Sequence, residues 1–269
     1  MNLPDFFCIG AQKSGTTLLQ ELLKEIEDIY LPIIKEVHFF DVPNRFDKGL
    51  EWYERNYFFN AKKDKKIGEI TPSYIFIDDV PKKIFDSLGK DIKFIIILRN
   101  PIQRAYSQYT MKYRTKEEKY SFEDALVLES VRTRRNLEYK KRYSYLQRGL
   151  YSSQIRNYLK YFEKKQFLFI EFDDFIKNQD STIKDICNFL EINKINTIIS
   201  KRVHSTNLSL GEKLKFSILN KNYNIFNILK KTGYPDMKIS TKKLLQKYYE
   251  DDIIELERII SKDLSKWLQ

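Results

Sequence analysis

The stretch that most constrains the fold of this chain is residues 5–17, Asp-Phe-Phe-Cys-Ile-Gly-Ala-Gln-Lys-Ser-Gly-Thr-Thr. The apolar run from Phe6 to Ile9 predicts a buried strand, which ends at Gly10. Leucines at helical spacing follow from Leu18 onward, so a helix is expected directly after the turn. The N–H groups of such a turn and the positive end of the helix dipole converge on one point, and this arrangement binds anions.

The spacing of this turn differs from that of a Walker A loop. Gly10 and Gly15 are spaced as that motif requires, but Thr16 follows Gly15, and Lys13 stands two residues before that glycine. Lys13 is therefore expected to project from the loop, and the Mg²⁺-binding pattern of the motif is not matched. The sequence favours a phosphate-binding loop without NTPase chemistry over an ordinary strand–turn–helix connection. The candidate ligands of the anion are Lys13, Ser14, Gly15, Thr16 and Thr17.

A second strand is predicted at Lys93 to Leu98, because its run of isoleucine and leucine is typical of a parallel strand covered on both faces. Arg99 follows, and Asn100-Pro101 has the residues preferred at a helix N-cap and first helical position. Arg99 provides a forked, permanently charged donor and Ser107 a hydroxyl, and both suit one phosphate. Arg104, on the same predicted helix, is expected to lie at the surface or between helices.

These two stretches together resemble a known family. Ile9-Gly-Ala-Gln-Lys-Ser-Gly-Thr-Thr17 resembles the 5′-phosphosulfate loop of sulfotransferases that use 3′-phosphoadenosine 5′-phosphosulfate (PAPS). Phe94-Ile-Ile-Ile-Leu-Arg-Asn-Pro-Ile-Gln-Arg-Ala-Tyr-Ser107 resembles the 3′-phosphate motif of the same family. The likeness extends to Asp263-Leu-Ser-Lys-Trp267 and is closest to the heparan sulfate (3-O and N) sulfotransferases and their bacterial relatives. It implies PAPS as cosubstrate, with Arg99 and Ser107 holding its 3′-phosphate.

The segment Ile34-Lys-Glu-Val-His-Phe-Phe-Asp41 contains a candidate base. Glu36 and His38 are two residues apart, so in an extended segment they would share one face. Such a pair can remove a proton from an acceptor hydroxyl, while an edge strand with a structural ion pair is the alternative. The segment is similar to the one that bears the catalytic base in heparan sulfate 3-O-sulfotransferases, which implies Glu36 as base with His38 and Asp41 in support.

Three further segments bear on the acceptor and the nucleotide. Gly68-Glu-Ile-Thr-Pro-Ser-Tyr74 resembles a Glu-Lys-Thr-Pro segment of the family, with Ile70 in place of a lysine used by some heparan sulfate enzymes. Residues 111–148 are strongly basic and form either a solvated face or a rim for an anionic glycan. Lys201 and Arg202 lie where relatives close a loop over the nucleotide, which implies that they reach a phosphate.

Composition limits the remaining possibilities. The 269 residues contain no long Gly/Ser/Pro linker, so we expect one domain over 1–269. Apolar runs are too short to span a membrane and no signal peptide is recognisable, so we expect a cytoplasmic protein. Two cysteines, Cys8 and Cys187, indicate buried thiols rather than a disulfide framework. With only two histidines and two scattered cysteines, no metal site is expected.

The sequence therefore predicts an α/β domain in which a central parallel sheet is flanked by helices, with a P-loop-like nucleotide site at the strand C-termini, the sulfotransferase fold. The expected reaction is sulfuryl transfer from PAPS to a hydroxyl, less favourably an amine, of a glycan or small hydroxylated molecule. A P-loop kinase or other NTPase is one alternative, which dependence on Mg²⁺ and ATP would distinguish. The net charge of +11 suggests a nucleic-acid-binding protein as another, although no nucleic-acid-reading motif is present and we expect no such partner.

Overall fold

The computed structural model describes residues 1–192 and 237–269. Its five strands are Phe6–Gly10 (β1), Ile29–Tyr30 (β2), Lys66–Ile70 (β3), Lys93–Leu98 (β4) and Phe167–Glu171 (β5). They form one sheet in the order β2-β3-β1-β4-β5, and every neighbouring pair is parallel. The predicted α/β class with a central parallel sheet is confirmed, and both predicted strands that flank the candidate site lie at its centre.

Helices connect the strands, as parallel pairing requires. In the described residues they are Thr16–Lys24 (α1), Pro43–Phe46 (α2), Gly49–Tyr57 (α3), Val80–Leu88 (α4), Pro101–Arg114 (α5), Phe122–Thr133 (α6), Leu137–Tyr143 (α7), Tyr151–Tyr158 (α8), Phe172–Lys177 (α9), Gln179–Phe189 (α10) and Ile239–Ile260 (α11). Within these ranges no helix is both long and apolar enough to cross a membrane. A 3-10 turn at Gln147–Gly149 precedes α8.

Both faces of the sheet are buried, which explains why β1 and β4 are apolar at nearly every position. Cys8 and Ile95 point to one face, where they pack in a cluster with Leu19 of α1 and with α10. Phe7 and Ile96 point to the other face, in a larger cluster with α3, α4, α5, α8 and α11. The two cysteines are buried free thiols, as predicted.

The carboxyl ends of β1 and β4 meet at one edge, because these strands are parallel neighbours. Ala11 N–H, just beyond β1, donates to the Ile97 carbonyl at 2.7 Å and ties the two strand ends together. Asn100 caps α5 by accepting hydrogen bonds from the N–H groups of Ile102 and Gln103. The turn after β1 and the start of α5 therefore face the same crevice, where open parallel sheets bind ligands.

Candidate active site

The loop between β1 and α1 is shaped to receive an acceptor of hydrogen bonds. Lys13 and Gly15 both have positive φ angles, 73° and 83°, and Gly15 is the N-cap of α1. The Ser14 side chain is fully buried, and its Oγ has no hydrogen-bond partner in the described residues. A buried hydroxyl without a partner is costly unless a ligand satisfies it. Thr16 is buried beside the loop, whereas Thr17 is exposed.

Lys13 projects from the loop three residues before α1 begins, as its sequence position predicted. Its Nζ lies 3.3 Å from the Met111 sulfur, and no carboxylate pairs with it in residues 1–192 and 237–269. Burial, and then nearby positive charges, lower the pKa of Lys13; those charges belong to Arg99, Arg114, Arg104 and Lys35. A cation that has no carboxylate partner in the described residues and lies among other cations favours binding of a multiply charged anion.

Arg99, the first residue after β4, is joined directly to this loop. Its guanidinium donates to the Lys13 carbonyl at 3.0 Å and stacks over the Phe172 ring at 4.6 Å. Burial lowers the pKa of Arg99 to about 10, which leaves it charged at neutral pH. Ser107 lies half-buried two turns into α5, and no hydrogen bond within the described ranges joins it to Arg99. Arg104 is fully buried and donates to the Tyr145 carbonyl. Of its two predicted placements, at the surface or between helices, the structure shows the second.

The segment with the candidate base is not a strand, so the edge-strand alternative was wrong. Glu36 and His38 adopt left-handed conformations with φ of 59° and 55°. The backbone N–H of Glu36 donates to the carbonyl of Ile70, the last residue of β3. Val37 and Phe39 still enter the core, and Glu36 and His38 still face the site together. The turn therefore places Glu36 and His38 on one side and Val37 and Phe39 on the other, as an extended segment would.

Glu36, His38 and Asp41 form a connected set of charges. His38 Nδ1 lies 3.0 Å from both Asp41 carboxylate oxygens, and His38 Nε2 lies 3.6 Å from Glu36 Oε2. Burial alone would lower the pKa of His38, but its bonds to Asp41 and Glu36 outweigh this effect and raise the pKa to about 9. An imidazolium at neutral pH cannot accept a proton, so this geometry favours Glu36 over His38 as the base.

Asp41 is almost completely buried and is held by two further donors that the sequence reasoning missed. Ser73 Oγ donates to its carboxylate at 2.8 Å, and Lys141 Nζ lies 2.9 Å from the same oxygen. Burial raises the pKa of Asp41, but these partners and His38 hold it well below its usual range. Lys141 is 100 residues away in sequence, and no local pattern distinguishes it from the neighbouring lysines.

Lys35 is the third residue that sequence reasoning missed. Its Nζ donates to Glu36 Oε1 at 2.7 Å and to Thr16 Oγ1 at 3.3 Å. It therefore joins the start of α1 to the candidate base. Its position directly before Glu36 was the available signal, but only the turn geometry brings both contacts within reach.

The end of β3 and the residues that follow it support this set. Glu69 is fully buried and accepts hydrogen bonds from the hydroxyls of Tyr53 and Thr71. Tyr74 also interacts with Glu69, and its hydroxyl accepts from the Phe40 N–H at 3.2 Å. Ile70 is buried in the cluster that contains α1, so its side chain belongs to the core.

The basic region 111–148 is neither a fully solvated face nor a rim whose cations are all free to bind a glycan. Several of its cations are paired within the protein: Arg132 with Glu118, Lys140 with Asp78, Lys141 with Asp41, and Arg142 with Glu117. Lys201 and Arg202 lie outside the described residues. In the part of the chain that is described, no group of three or more His, Cys, Asp or Glu side chains is arranged so that it could hold a metal ion.

Comparison with known proteins agrees with this geometry. The model of the sulfotransferase domain family matches residues 3–247. Human heparan sulfate glucosamine 3-O-sulfotransferase 5 is 30% identical over 194 residues, which are 71% of this chain and 54% of that protein. Human heparan sulfate glucosamine 3-O-sulfotransferase 3B1 is 31% identical over 195 residues, 72% of this chain and 48% of that protein. The chain thus spans about half the length of the curated relatives it matches.

Solved structures give the same result. A sulfotransferase from Alicyclobacillus acidocaldarius superposes with a TM-score of 0.77 at 26% identity, over the full length of both chains. A sulfotransferase domain from the curacin biosynthetic pathway shares the fold alone, with a TM-score of 0.50 at 16% identity over 72% of this chain and 76% of that one. The chain therefore belongs to the sulfotransferase family of enzymes.

Proposed function

We propose that the protein transfers a sulfuryl group from PAPS to a hydroxyl of a carbohydrate acceptor. One observation supports this most strongly: the loop after β1, whose Ser14 hydroxyl has no partner in the described residues, lies at the same edge of the sheet as the candidate base, and Lys35 contacts both Thr16, at the end of this loop, and Glu36. Sulfuryl transfer needs both parts at once, an anion site for the donor and a base for the incoming hydroxyl.

The described residues fit a donor with several negative charges. Lys13, Ser14 and the first turn of α1 would hold its 5′ end, since among the described residues the Ser14 hydroxyl has no partner and Lys13 has no carboxylate partner. Arg99 and Ser107 would hold the 3′-phosphate, Arg99 through its buried, charged guanidinium. PAPS would supply an electrophilic sulfur and a phosphate leaving group. Lys201 and Arg202 remain proposed contacts of the nucleotide.

The chain's own groups would divide the remaining work. Glu36 would accept the proton of the acceptor hydroxyl, because it is a carboxylate in contact with the site and His38 is protonated. Lys13 and the loop N–H groups would stabilise negative charge on the departing phosphate oxygen, in the way that an oxyanion hole does. Asp41 would keep His38 oriented, since two hydrogen bonds of 3.0 Å join them.

The names of the relatives, and not the geometry of the site, favour a sugar hydroxyl as the acceptor. Both human relatives are named as heparan sulfate glucosamine 3-O-sulfotransferases, so transfer to oxygen on a sugar is what their names describe. A hydroxyl acceptor also requires a base such as Glu36, because a neutral hydroxyl must lose its proton to become a good nucleophile. A small hydroxylated molecule would meet the same requirement. The absence of a nucleic-acid partner and a cytoplasmic location stay predictions.

The test is transfer of ³⁵S from labelled PAPS to glycans and small molecules extracted from the protein's own cells. We expect a labelled product with the wild type and none above background with Glu36→Gln. A parallel reaction with ATP and Mg²⁺ tests the kinase alternative. Phosphoryl transfer without sulfuryl transfer would overturn the proposal.

A further inference from the structure

Lys35 stands between the donor loop and the proposed base. Its Nζ lies 2.7 Å from Glu36 Oε1 and 3.3 Å from Thr16 Oγ1, the hydroxyl at the first residue of α1. The side chains of Lys35 and Glu36 are 20% and 34% exposed, so the ion pair is partly shielded from water. A charge-assisted hydrogen bond in such surroundings is stronger than one on the open surface.

The charges around Glu36 make it a weak base in the free protein. Lys35 and His38 contact it directly, Asp41 lies behind His38, and Arg148 interacts with it electrostatically from the turn before α8. Burial alone would raise the pKa of Glu36, but the contacts with His38 and Lys35 outweigh it and lower the pKa to about 2. The efficiency of a general base falls as its pKa falls, so this arrangement opposes proton removal.

We propose that Lys35 is a positioning residue shared between the donor loop and Glu36, and that an anion in the loop draws its ammonium away from the carboxylate. Glu36 then becomes a stronger base only when the donor is bound. This inference rests on the proposed function. It assigns Lys35 a role besides any contribution to donor affinity: Lys35 makes the strength of Glu36 as a base depend on whether the donor is bound.

The chemistry of the two anions makes this exchange favourable. A lysine ammonium is a compact charge on a flexible stem, so it can turn from Glu36 toward the loop without moving the backbone. A phosphate dianion attracts it more strongly than a carboxylate monoanion at a similar distance. His38 remains bonded to Asp41, so Glu36 keeps one neighbour that holds its orientation.

The test follows the titration of Glu36 itself, by ¹³C NMR of the labelled carboxylate, with Glu36→Gln to assign the signal. The spectra are recorded from pH 3.5 to 6 with and without 3′-phosphoadenosine 5′-phosphate (PAP). We expect no titration of Glu36 over this range in the free protein and a clear titration in the PAP complex, as its pKa rises toward 4.5. The probe is a binding ligand, so the readout does not depend on turnover.

Three variants separate charge from shape. In Lys35→Met, Glu36 should titrate in this range with or without PAP, and PAP should bind about tenfold to a hundredfold more weakly, the scale of a lost charged hydrogen bond. Lys35→Arg should restore most of the wild-type behaviour. Lys24→Met is the matched control, because Lys24 pairs with Glu21 on the exposed side of α1, and it should match the wild type.

The outcomes distinguish the two proposals. If PAP binds but Glu36 behaves identically in the free and bound protein, the role of Lys35 is overturned and the proposed function stands. If Lys35→Met leaves the titration of Glu36 unchanged, the role of Lys35 is likewise overturned. If PAP does not bind at all, the proposed function and this inference fail together.

Discussion

At the scale of single residues, the site combines a lysine that no described carboxylate neutralises with a carboxylate that is paired with cations. Lys13 has the Met111 sulfur at 3.3 Å, and no carboxylate of the described residues neutralises it. Glu36, by contrast, is held between Lys35 and His38. The two residues therefore predict different consequences when they are changed.

Lys13→Ala should abolish most of the turnover without unfolding the protein. Lys13 lies in a loop and its side chain makes no ion pair in the described ranges, so little stabilisation is lost. Its charge matters most as the leaving phosphate gains negative charge, so kcat should fall about 10²–10³-fold. Steady-state kinetics and thermal melting check this together. A variant with normal stability and a near-normal rate would show that the loop is only structural.

Glu36→Gln should reduce turnover about 10²–10⁴-fold, because the amide keeps the shape but cannot take the proton. Binding of PAP should not weaken, since Glu36 faces the acceptor. His38→Ala, tested beside it, should leave more activity, because His38 is protonated and serves to orient Glu36. If Glu36→Gln remains active while His38→Ala is inactive, the two roles are reversed; if both remain active, the base lies elsewhere.

At the scale of elements, the proposed base depends on a turn that the end of β3 supports. The turn of residues 34–41 presents Glu36 and His38, and it is supported by the buried Glu69 near the end of β3 and by Ser73 after it. Glu36, His38 and Ser73 lie in neither a helix nor a strand. Their conformation depends on hydrogen bonds between residues far apart in sequence.

His38 should make the stability of the protein depend on pH. Its pKa is raised from 6.5 to about 9, so the folded protein binds this proton more tightly than the unfolded chain does. The resulting stabilisation is complete below pH 6.5 and is lost as the pH rises to about 9. Between pH 6 and 9.5, the stability advantage of the wild type over His38→Gln should shrink by about 1–3 kcal/mol, measured by urea denaturation. If the difference in stability between the wild type and His38→Gln does not change with pH, the charged set of Glu36, His38 and Asp41 is contradicted.

Tyr53→Phe should destabilise the protein at the end of β3. It removes one of the hydroxyls that satisfy the fully buried Glu69, at a cost of about 1–3 kcal/mol in the free energy of unfolding. Tyr161→Phe is the matched control, because Tyr161 packs its ring against Phe85 and its hydroxyl has no partner in the described residues. Equal stability of the two variants in denaturant titrations would show that Glu69 does not depend on Tyr53.

The sequence was sufficient for the two central strands and the start of α5, and insufficient for the turn of residues 34–41. The strands β1 and β4 were predictable because strands buried on both faces are continuously apolar, and Asn100-Pro101 marked the start of α5 through local capping chemistry. The sequence left the conformation of residues 34–41 open, because left-handed turns and extended segments both alternate buried and exposed side chains. Ser73 and Lys141 could not be found, because tertiary contacts alone bring them to Asp41.

At the scale of the whole molecule, the order of the strands creates the site. Placing β1 beside β4 brings the loop after Gly10 against Arg99, although these residues are far apart in sequence. The hydrogen bond from Arg99 to the Lys13 carbonyl, at 3.0 Å, joins the two proposed phosphate sites. A ligand that spans the crevice should therefore need a phosphate at each end.

The most direct test of this account compares PAP with AMP, which lacks the 3′-phosphate, by isothermal titration calorimetry and thermal melting. The wild type should bind PAP more tightly than AMP, and PAP should raise the melting temperature much more. Arg99→Ala should weaken PAP by about 1.5–3 kcal/mol, the scale of a charged hydrogen bond, and leave AMP nearly unchanged. Equal affinities of the wild type for PAP and AMP would contradict the assignment of Arg99 and Ser107 to a 3′-phosphate, and with it the proposed PAPS site.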